Sequence, residues 1–189
     1  MRISVFGLGY VGAVTATCFA ELGHEVVGVE VNRDKVAMIN NGIAPIVEPE
    51  LQERVAAVTA KGYLRAITDA RQAVLRSDLS MICVGTPTNE SGMVELNSLD
   101  NVVVEIGIAL RVKDGPHVVV VRSTVPPGTT AGRVAPALAG ASGGRIGEEV
   151  ELCCNPEFLR EGSALRNYYH PPVAMQRRRA RHDGWGTSR

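Results

Sequence analysis

The chain has no net charge, no long apolar run and no cysteine spacing of a metal site, and each absence removes a class of function. Twenty basic residues face twenty acidic ones over 189 positions. Such a balance supplies no field for gathering nucleic acid or an anionic membrane surface. The N-terminal Met1-Arg2-Ile3-Ser4-Val5-Phe6 carries one positive charge but meets Gly7 and Gly9 before a signal core or membrane span could develop. A cytoplasmic protein is the expectation. Cys18, Cys83, Cys153 and Cys154 show no C-x-x-C or metal-type spacing, and three sit inside apolar runs, so they are expected as buried thiols with no bound metal. No repeat of solenoid length is visible.

What is present is ordinary globular composition, 45% hydrophobic and 21% charged, in a chain long enough for a core without staples. Short β-branched runs at Arg2–Phe6, Glu25–Val31, Leu64–Thr68, Leu79–Val84, His117–Val121 and Val150–Cys154 alternate with segments of helical period. The latter are Val11–Leu22, Arg33–Asn40, Glu48–Ala60, Ala70–Leu75, Ser98–Arg111 and Thr129–Ala139. The runs are mostly continuous rather than alternating, as in strands covered on both faces. This predicts an α/β fold, a Rossmann-like, doubly wound, mostly parallel sheet with helices on both faces. Gly23 is expected to end the first helix, Asp69 and Asn97 to cap later ones, and Ala139–Gly147 to form a surface loop. Residues 1–172 are assigned to one dinucleotide-binding domain. In 173–189 the periodicity stops and five of seventeen residues are arginine, so an irregular, basic, disordered or aberrant tail is expected.

Gly7, Gly9 and Gly12 form G-x-G-x-x-G directly after a predicted strand and at the opening of a predicted helix. Gly7 permits the tight turn, Gly9 admits a pyrophosphate to the backbone, and Gly12 lets helix and strand approach. N–H groups at the helix start then face the phosphates along the helix dipole. The second strand ends in Glu30, eighteen residues after Gly12. A carboxylate there accepts hydrogen bonds from ribose hydroxyls and repels a 2′-phosphate, which selects NAD over NADP. Arg33 and Lys35 are the nearby charges that oppose that selection.

Five segments in this order, Gly7–Gly12, Pro45–Pro49 (PIVEP), Val84–Pro87 (VGTP), Arg122–Thr129 (RSTVPPGT) and Asn155–Gly162 (NPEFLREG), make the chain resemble the UDP-glucose/GDP-mannose dehydrogenase family from Met1 to about Pro172. The resemblance covers that family's N-terminal, NAD-binding domain. Its members oxidise the 6-hydroxyl of a nucleotide-linked hexose to a carboxylate with two NAD through a cysteine thioester, and the full-length proteins oligomerise. Val119–Thr124 and Tyr168–Pro172 look more like the GDP-mannose branch than the UDP-glucose branch, so GDP-mannose, or alternatively UDP-glucose, is the implied substrate.

The resemblance further implies that Tyr10 and Val11 lie with the glycines against the pyrophosphate and that Glu30 and Lys35 border the adenosine ribose. Family members more often carry Asp where this chain has Glu30. Thr86 and Thr124 match cofactor-side positions, and a hydroxyl at Thr124 can also position a water for catalysis. Glu157 is implied as catalytic acid/base, and Glu161 as a catalytic residue nearer the nicotinamide. If Phe158–Glu161 forms a helical turn, both acids share one face and raise each other's pKa. The family's nucleophilic cysteine, in a G-G-x-C-x-P-K-D-like segment, has no counterpart among Cys18, Cys83, Cys153 and Cys154. A truncated or frameshifted chain, inactive by itself, is therefore the expectation. Two other classes compete: a stand-alone regulatory NAD-binding module, and a small dehydrogenase of other substrates sharing the glycine turn. NPEFLREG together with RSTVPPGT argues against the latter.

Overall fold

The apolar runs form six strands, of which the inner four bury most side chains on both faces while the edge strands keep some exposed. In the structure, a computed structural model that describes residues 1–171, they are β1 (Arg2–Phe6), β2 (Glu25–Val29), β3 (Leu64–Ile67), β4 (Leu79–Ile82), β5 (His117–Val121) and β6 (Val150–Cys154). All pair in parallel in the order β3-β2-β1-β4-β5-β6. The strand order reverses between β1 and β4, which makes the carboxyl ends of these two strands the topological switch point.

Helices α1 (Tyr10–Glu21), α3 (Leu51–Ala60) and α7 (Ala164–Tyr169) lie against one face, where Ile3, Val5, Val14, Val55 and Leu165 join one apolar core. On the opposite face α4 (Ala70–Leu75), α5 (Asn97–Leu110) and α6 (Ala135–Ser142) close over Phe6, Ile82, Val119 and Val121 in a second core. Alternate β5 residues feed the two cores, which is why its sequence is continuously apolar. Helix α2 (Arg33–Asn40) crosses from β2 toward α3. No helix among the described residues is long and apolar enough to cross a membrane.

Several local expectations hold for the stated reasons. The Asp69 carboxylate accepts the Gln72 N–H at 2.9 Å and caps α4, and Gly23, at φ 84°, follows α1 with its N–H on the Ala20 carbonyl. Others are corrected. Asn97 is the first residue of α5 rather than its cap, which is Leu96 without a capping side chain. The predicted helix at Thr129–Ala139 is a π-helical turn over Thr130–Val134 continuing into α6, so Ala139–Ser142 are helical and the surface loop starts at Gly143. The predicted helix from Glu48 starts at Leu51, because Glu50 is left-handed, at φ 64°, and Glu48 turns inward. Cys18 and Cys83 are buried as expected, but Cys153 and Cys154 are only half-buried, since β6 is an edge strand. The basic segment 173–189 lies outside the described residues.

One polar group of residues sits in the second core. Ser4 on β1 bonds to Ser77 at 3.0 Å and to its register partner Ser80 on β4 at 2.8 Å, and Ser80 bonds to the His117 Nε2 at 2.8 Å. All four residues are buried. Mutual hydrogen bonding is what allows them there, since a buried hydroxyl without a partner costs about 1–3 kcal/mol.

Candidate functional site

The turn after β1 is shaped by its glycines. Gly7 has φ 87°, and a Cβ there would lie 3.0 Å from the Val84 Cα, so this residue packs the turn onto the carboxyl end of β4. At Gly12 a Cβ would lie 1.8 Å from the Gly7 carbonyl oxygen, which ties the first turn of α1 to the turn itself. Among the described residues a Cβ at Gly9 would meet nothing within 4 Å, so the backbone here borders open space where a ligand can approach. Helix α1 begins at Tyr10, one residue earlier than the periodicity predicts, with Gly9 as its cap and no side-chain capping bond. Its first N–H groups are thus left to an anion at the position where the dipole favours one.

Glu30 closes the rim of this cradle. One carboxylate oxygen accepts the Leu8 N–H at 2.9 Å and the other accepts the Asn32 N–H at 3.1 Å. Each oxygen retains a lone pair, so the carboxylate can hold the turn and still accept two hydroxyls. Lys35 lies half-buried in the first turn of α2, its N–H accepted by the Asn32 side chain at 3.3 Å. Gly7, Gly9, Tyr10, Val11, Gly12, Glu30 and Lys35 are therefore gathered at one end of β1 and β2.

On the other side of the switch point two loops are joined. The Thr86 hydroxyl donates to the Thr124 carbonyl at 2.6 Å, and the Ser123 hydroxyl to the Val84 carbonyl at 2.7 Å. Thr86 thus bridges the loops after β4 and β5, while Thr124 is exposed. Arg122 donates to the Asn155 side chain and stacks over the Tyr168 ring at 5.7 Å, which links the ends of β5 and β6 to α7.

NPEFLREG leaves β6 and turns back toward α1, but not as a helix. Residues 155–160 have no regular secondary structure, and Glu161-Gly162 form a turn. Pro156, the Glu157 carboxylate accepting the Leu159 N–H at 2.7 Å, and Gly162 at φ 78° all oppose a helical turn. The expectation that Glu157 and Glu161 share one helical face is therefore overturned. Glu157 is half-buried, close enough to Cys83 for its charge to act on that thiol, whereas Glu161 is exposed and acts on Tyr10. Desolvation first, then the bond to Glu48 and the charges of Glu48 and Glu161, hold the Tyr10 phenol above its ordinary value. Desolvation pushes the Cys18 and Cys83 thiols up to about 12, which leaves neither able to act as a thiolate near neutrality.

Glu48 is the residue whose role was not read from the sequence. Only 7% exposed, it accepts the Tyr10 hydroxyl at 2.5 Å and the N–H groups of Gly162 and Ala164 at 2.8 and 2.7 Å. The sequence carries one signal of it, an acid inside the PIVEP segment.

A glycine cradle at the switch point of a parallel sheet ordered 3-2-1-4-5-6, with an acid after β2, defines a dinucleotide-binding α/β domain. Residues 1–175 match the model of the UDP-glucose/GDP-mannose dehydrogenase family, NAD binding domain, and the chain belongs to that family. It is 50% identical over 175 residues to GDP-mannose 6-dehydrogenase of Pseudomonas syringae pv. tomato, covering 93% of this chain and 40% of that protein. It is 42% identical over 171 residues to a UDP-glucose 6-dehydrogenase of Haloferax volcanii, covering 90% and 39%. The fold superposes with TM-score 0.89 and 49% identity on the crystal structure of a ternary complex of GDP-mannose dehydrogenase from Pseudomonas aeruginosa, covering 91% of this chain and 39% of that one. The chain thus spans about two fifths of the length of these relatives, and shares more sequence with the GDP-mannose enzymes than with the UDP-glucose one.

The open space at Gly9 and the spare acceptor capacity of Glu30 fit NAD. Replacing Glu30 with alanine removes the two carboxylate acceptors at the rim of the cradle and the bond to the Leu8 N–H. Titration calorimetry should show NAD binding weakened by about tenfold or more, with a narrowed preference over NADP, because a charge-assisted bond contributes about 1.5–3 kcal/mol. Equal NAD affinity in the variant would separate Glu30 from the ribose.

Proposed function

We propose that this chain supplies the cofactor site and the acid/base half of the active site of a nucleotide-sugar 6-dehydrogenase acting on GDP-mannose, with oxidation of the C6 hydroxyl to the carboxylate. The observation that carries this is the return of NPEFLREG onto the start of α1, where the Tyr10 hydroxyl and the Gly162 N–H both donate to Glu48 and the Tyr10 oxygen lies 3.2 Å from the Arg160 carbonyl. A segment bearing two carboxylates is thereby held beside the glycine cradle. Gly7, Gly9, Tyr10, Val11 and Gly12 would hold the pyrophosphate, Glu30 and Lys35 the adenosine ribose, and Thr86, Thr124 and Glu161 the nicotinamide end. When bound, NAD supplies the hydride acceptor.

Glu157 would take the alcohol proton through water, Glu161 would support proton transfer beside the nicotinamide, and the Thr124 hydroxyl would orient the water. The similarity to GDP-mannose 6-dehydrogenase at 50% identity favours that sugar nucleotide over UDP-glucose. Cys18 and Cys83, buried and with thiols raised by desolvation, do not suit the thiol that the second oxidation needs.

The test has two arms. Calorimetry on this chain should show NAD binding, while NAD with GDP-mannose or UDP-glucose should give no sustained NADH absorbance; turnover by the chain alone would refute the assignment of a half-site. In a chimera joining residues 1–171 to the remaining length of a GDP-mannose 6-dehydrogenase, NADH production with GDP-mannose should return. Glu157→Gln in that chimera should lower kcat by about a hundredfold or more, the contribution of a positioned acid/base group.

A further inference from the structure

The segment PIVEP inverts the usual rule of burial: Val47 is 99% exposed, while its neighbour Glu48 is 7% exposed. Withdrawing a carboxylate from water is expensive unless donors replace the lost hydration. No ion pair to Glu48 is found among the described residues. Three hydrogen-bond donors take that place instead. One Glu48 oxygen accepts from the Tyr10 hydroxyl and the Gly162 N–H, and the other from the Ala164 N–H. These donors belong to two parts of the chain far apart in sequence, the first residue of α1 and the junction between NPEFLREG and α7.

We infer that Glu48 is a positioning residue that locks the acid-bearing loop to the cofactor cradle, so that NAD at the glycine turn and the Glu161 backbone share one rigid frame. The inference rests on Glu161 acting at the reaction centre. Glu161 is fixed from both sides. The carbonyl before it, of Arg160, lies 3.2 Å from the Tyr10 hydroxyl and shares the proton that this group donates mainly to Glu48, and the N–H after it, of Gly162, donates to Glu48. Glu48 also serves as the distant cap of α7, whose own N-cap residue, Ser163, makes no side-chain capping bond. Tyr10 stands between the two systems: its backbone opens α1 at the cradle, and its hydroxyl reaches Glu48. A ligand that orders the start of α1 therefore orders the Tyr10 ring, Glu48 and the loop together, through the three charge-assisted bonds to Glu48.

Hydrogen–deuterium exchange on this chain tests the lock. Glu48→Gln keeps the size of the side chain but turns an amide N–H₂ toward donors, and Glu48→Ala removes every acceptor. In both, exchange at Gly162 and Ala164 should accelerate by about tenfold or more, the factor expected from losing one such bond, while the β5 amides of Val119 to Val121 keep their rates. In the unaltered chain, NAD should slow exchange over 160–164. In Tyr10→Phe, which retains the Glu48 bonds to Gly162 and Ala164 and the backbone N–H at the cradle, exchange measured at NAD concentrations that saturate the variant should show protection that no longer reaches those amides. Unchanged exchange at Gly162 and Ala164 would overturn the inference, as would acceleration spread equally to β5, which marks general destabilisation. If the Glu48 variants fail to fold, Tyr10→Phe decides: NAD protection identical to that of the unaltered chain removes the coupling. The activity of the Glu157→Gln chimera judges the role of the acids separately, so the two failures are distinguishable.

Discussion

Gly12→Ala is expected to unfold or strongly destabilise the domain and abolish NAD binding, whereas Gly9→Ala should leave the fold intact and weaken NAD alone. The difference lies in what a methyl group would meet. At Gly12 it would lie 1.8 Å from the Gly7 carbonyl oxygen and 2.9 Å from its carbon. That carbonyl cannot retreat, because Gly7 is itself pressed against Val84 and Cys83 and its N–H is held by the Val29 carbonyl at 2.8 Å. Overpacking in yielding surroundings costs about 1–3 kcal/mol, and a backbone contact should exceed it. At Gly9, with φ −74° and ψ −161° and nothing within 4 Å, alanine is accommodated without strain. Its methyl group nevertheless occupies the approach to the first N–H groups of α1. Loss of one or two charge-assisted bonds should weaken NAD by about tenfold to a hundredfold. Thermal melts and calorimetry on both variants provide the check. Gly9→Ala binding NAD with unchanged affinity would mean that the pyrophosphate does not lie over the turn.

Acidification between pH 6.5 and 4 should remove about 3 kcal/mol of stability through one residue, His117. Its imidazole is buried, with Nε2 on Ser80 and, among the described residues, no hydrogen-bond partner at Nδ1. Burial, then the charge of Lys113, push its pKa down to about 4 from 6.5, against smaller opposing effects of Ser77 and Asp78. In that window the unfolded chain binds the proton and the folded one does not. Stability is therefore complete above the unfolded value, falls as pH drops toward the folded value, and loses nothing more to this group below it. Asp78 and Asp100, held below their ordinary 3.8 by hydrogen bonds from Arg2 and Arg133, act at lower pH. Because whole domains are stable by only about 5–15 kcal/mol, the effect should be plain in urea denaturation at a series of pH values. His117→Gln, which does not titrate, should flatten the profile between pH 6.5 and 4; an unchanged slope would assign the loss to other groups.

The glycine turn was legible in sequence because its requirements are local: three glycines, a strand before, a helix after and an acid beyond. The strands were legible for the same reason, being short, largely apolar runs, several of them rich in β-branched residues. Their exact ends were less so, as with β2, which stops at Val29 and frees Glu30 to turn back onto the Leu8 N–H. NPEFLREG shows where local patterning fails. Four-residue spacing of two acids suggests a helical face, yet the backbone groups of this segment are taken by Tyr10 and Glu48, residues more than a hundred positions away.

Sequence by itself therefore determined the family, the α/β class, the glycine turn and NAD as the cofactor, since each depends on residue types within short motifs. Tertiary structure alone decided that Glu48 is buried and shared between α1 and α7, that Ser4, Ser80 and His117 meet inside the second core, and that Thr86 bridges two loops. Those outcomes depend on strand order, and pairing β1 with β4 rather than with β3 is what brings residues some 75 positions apart into hydrogen-bonding distance. A buried polar group is stable only where such distant partners converge, and no local pattern specifies them.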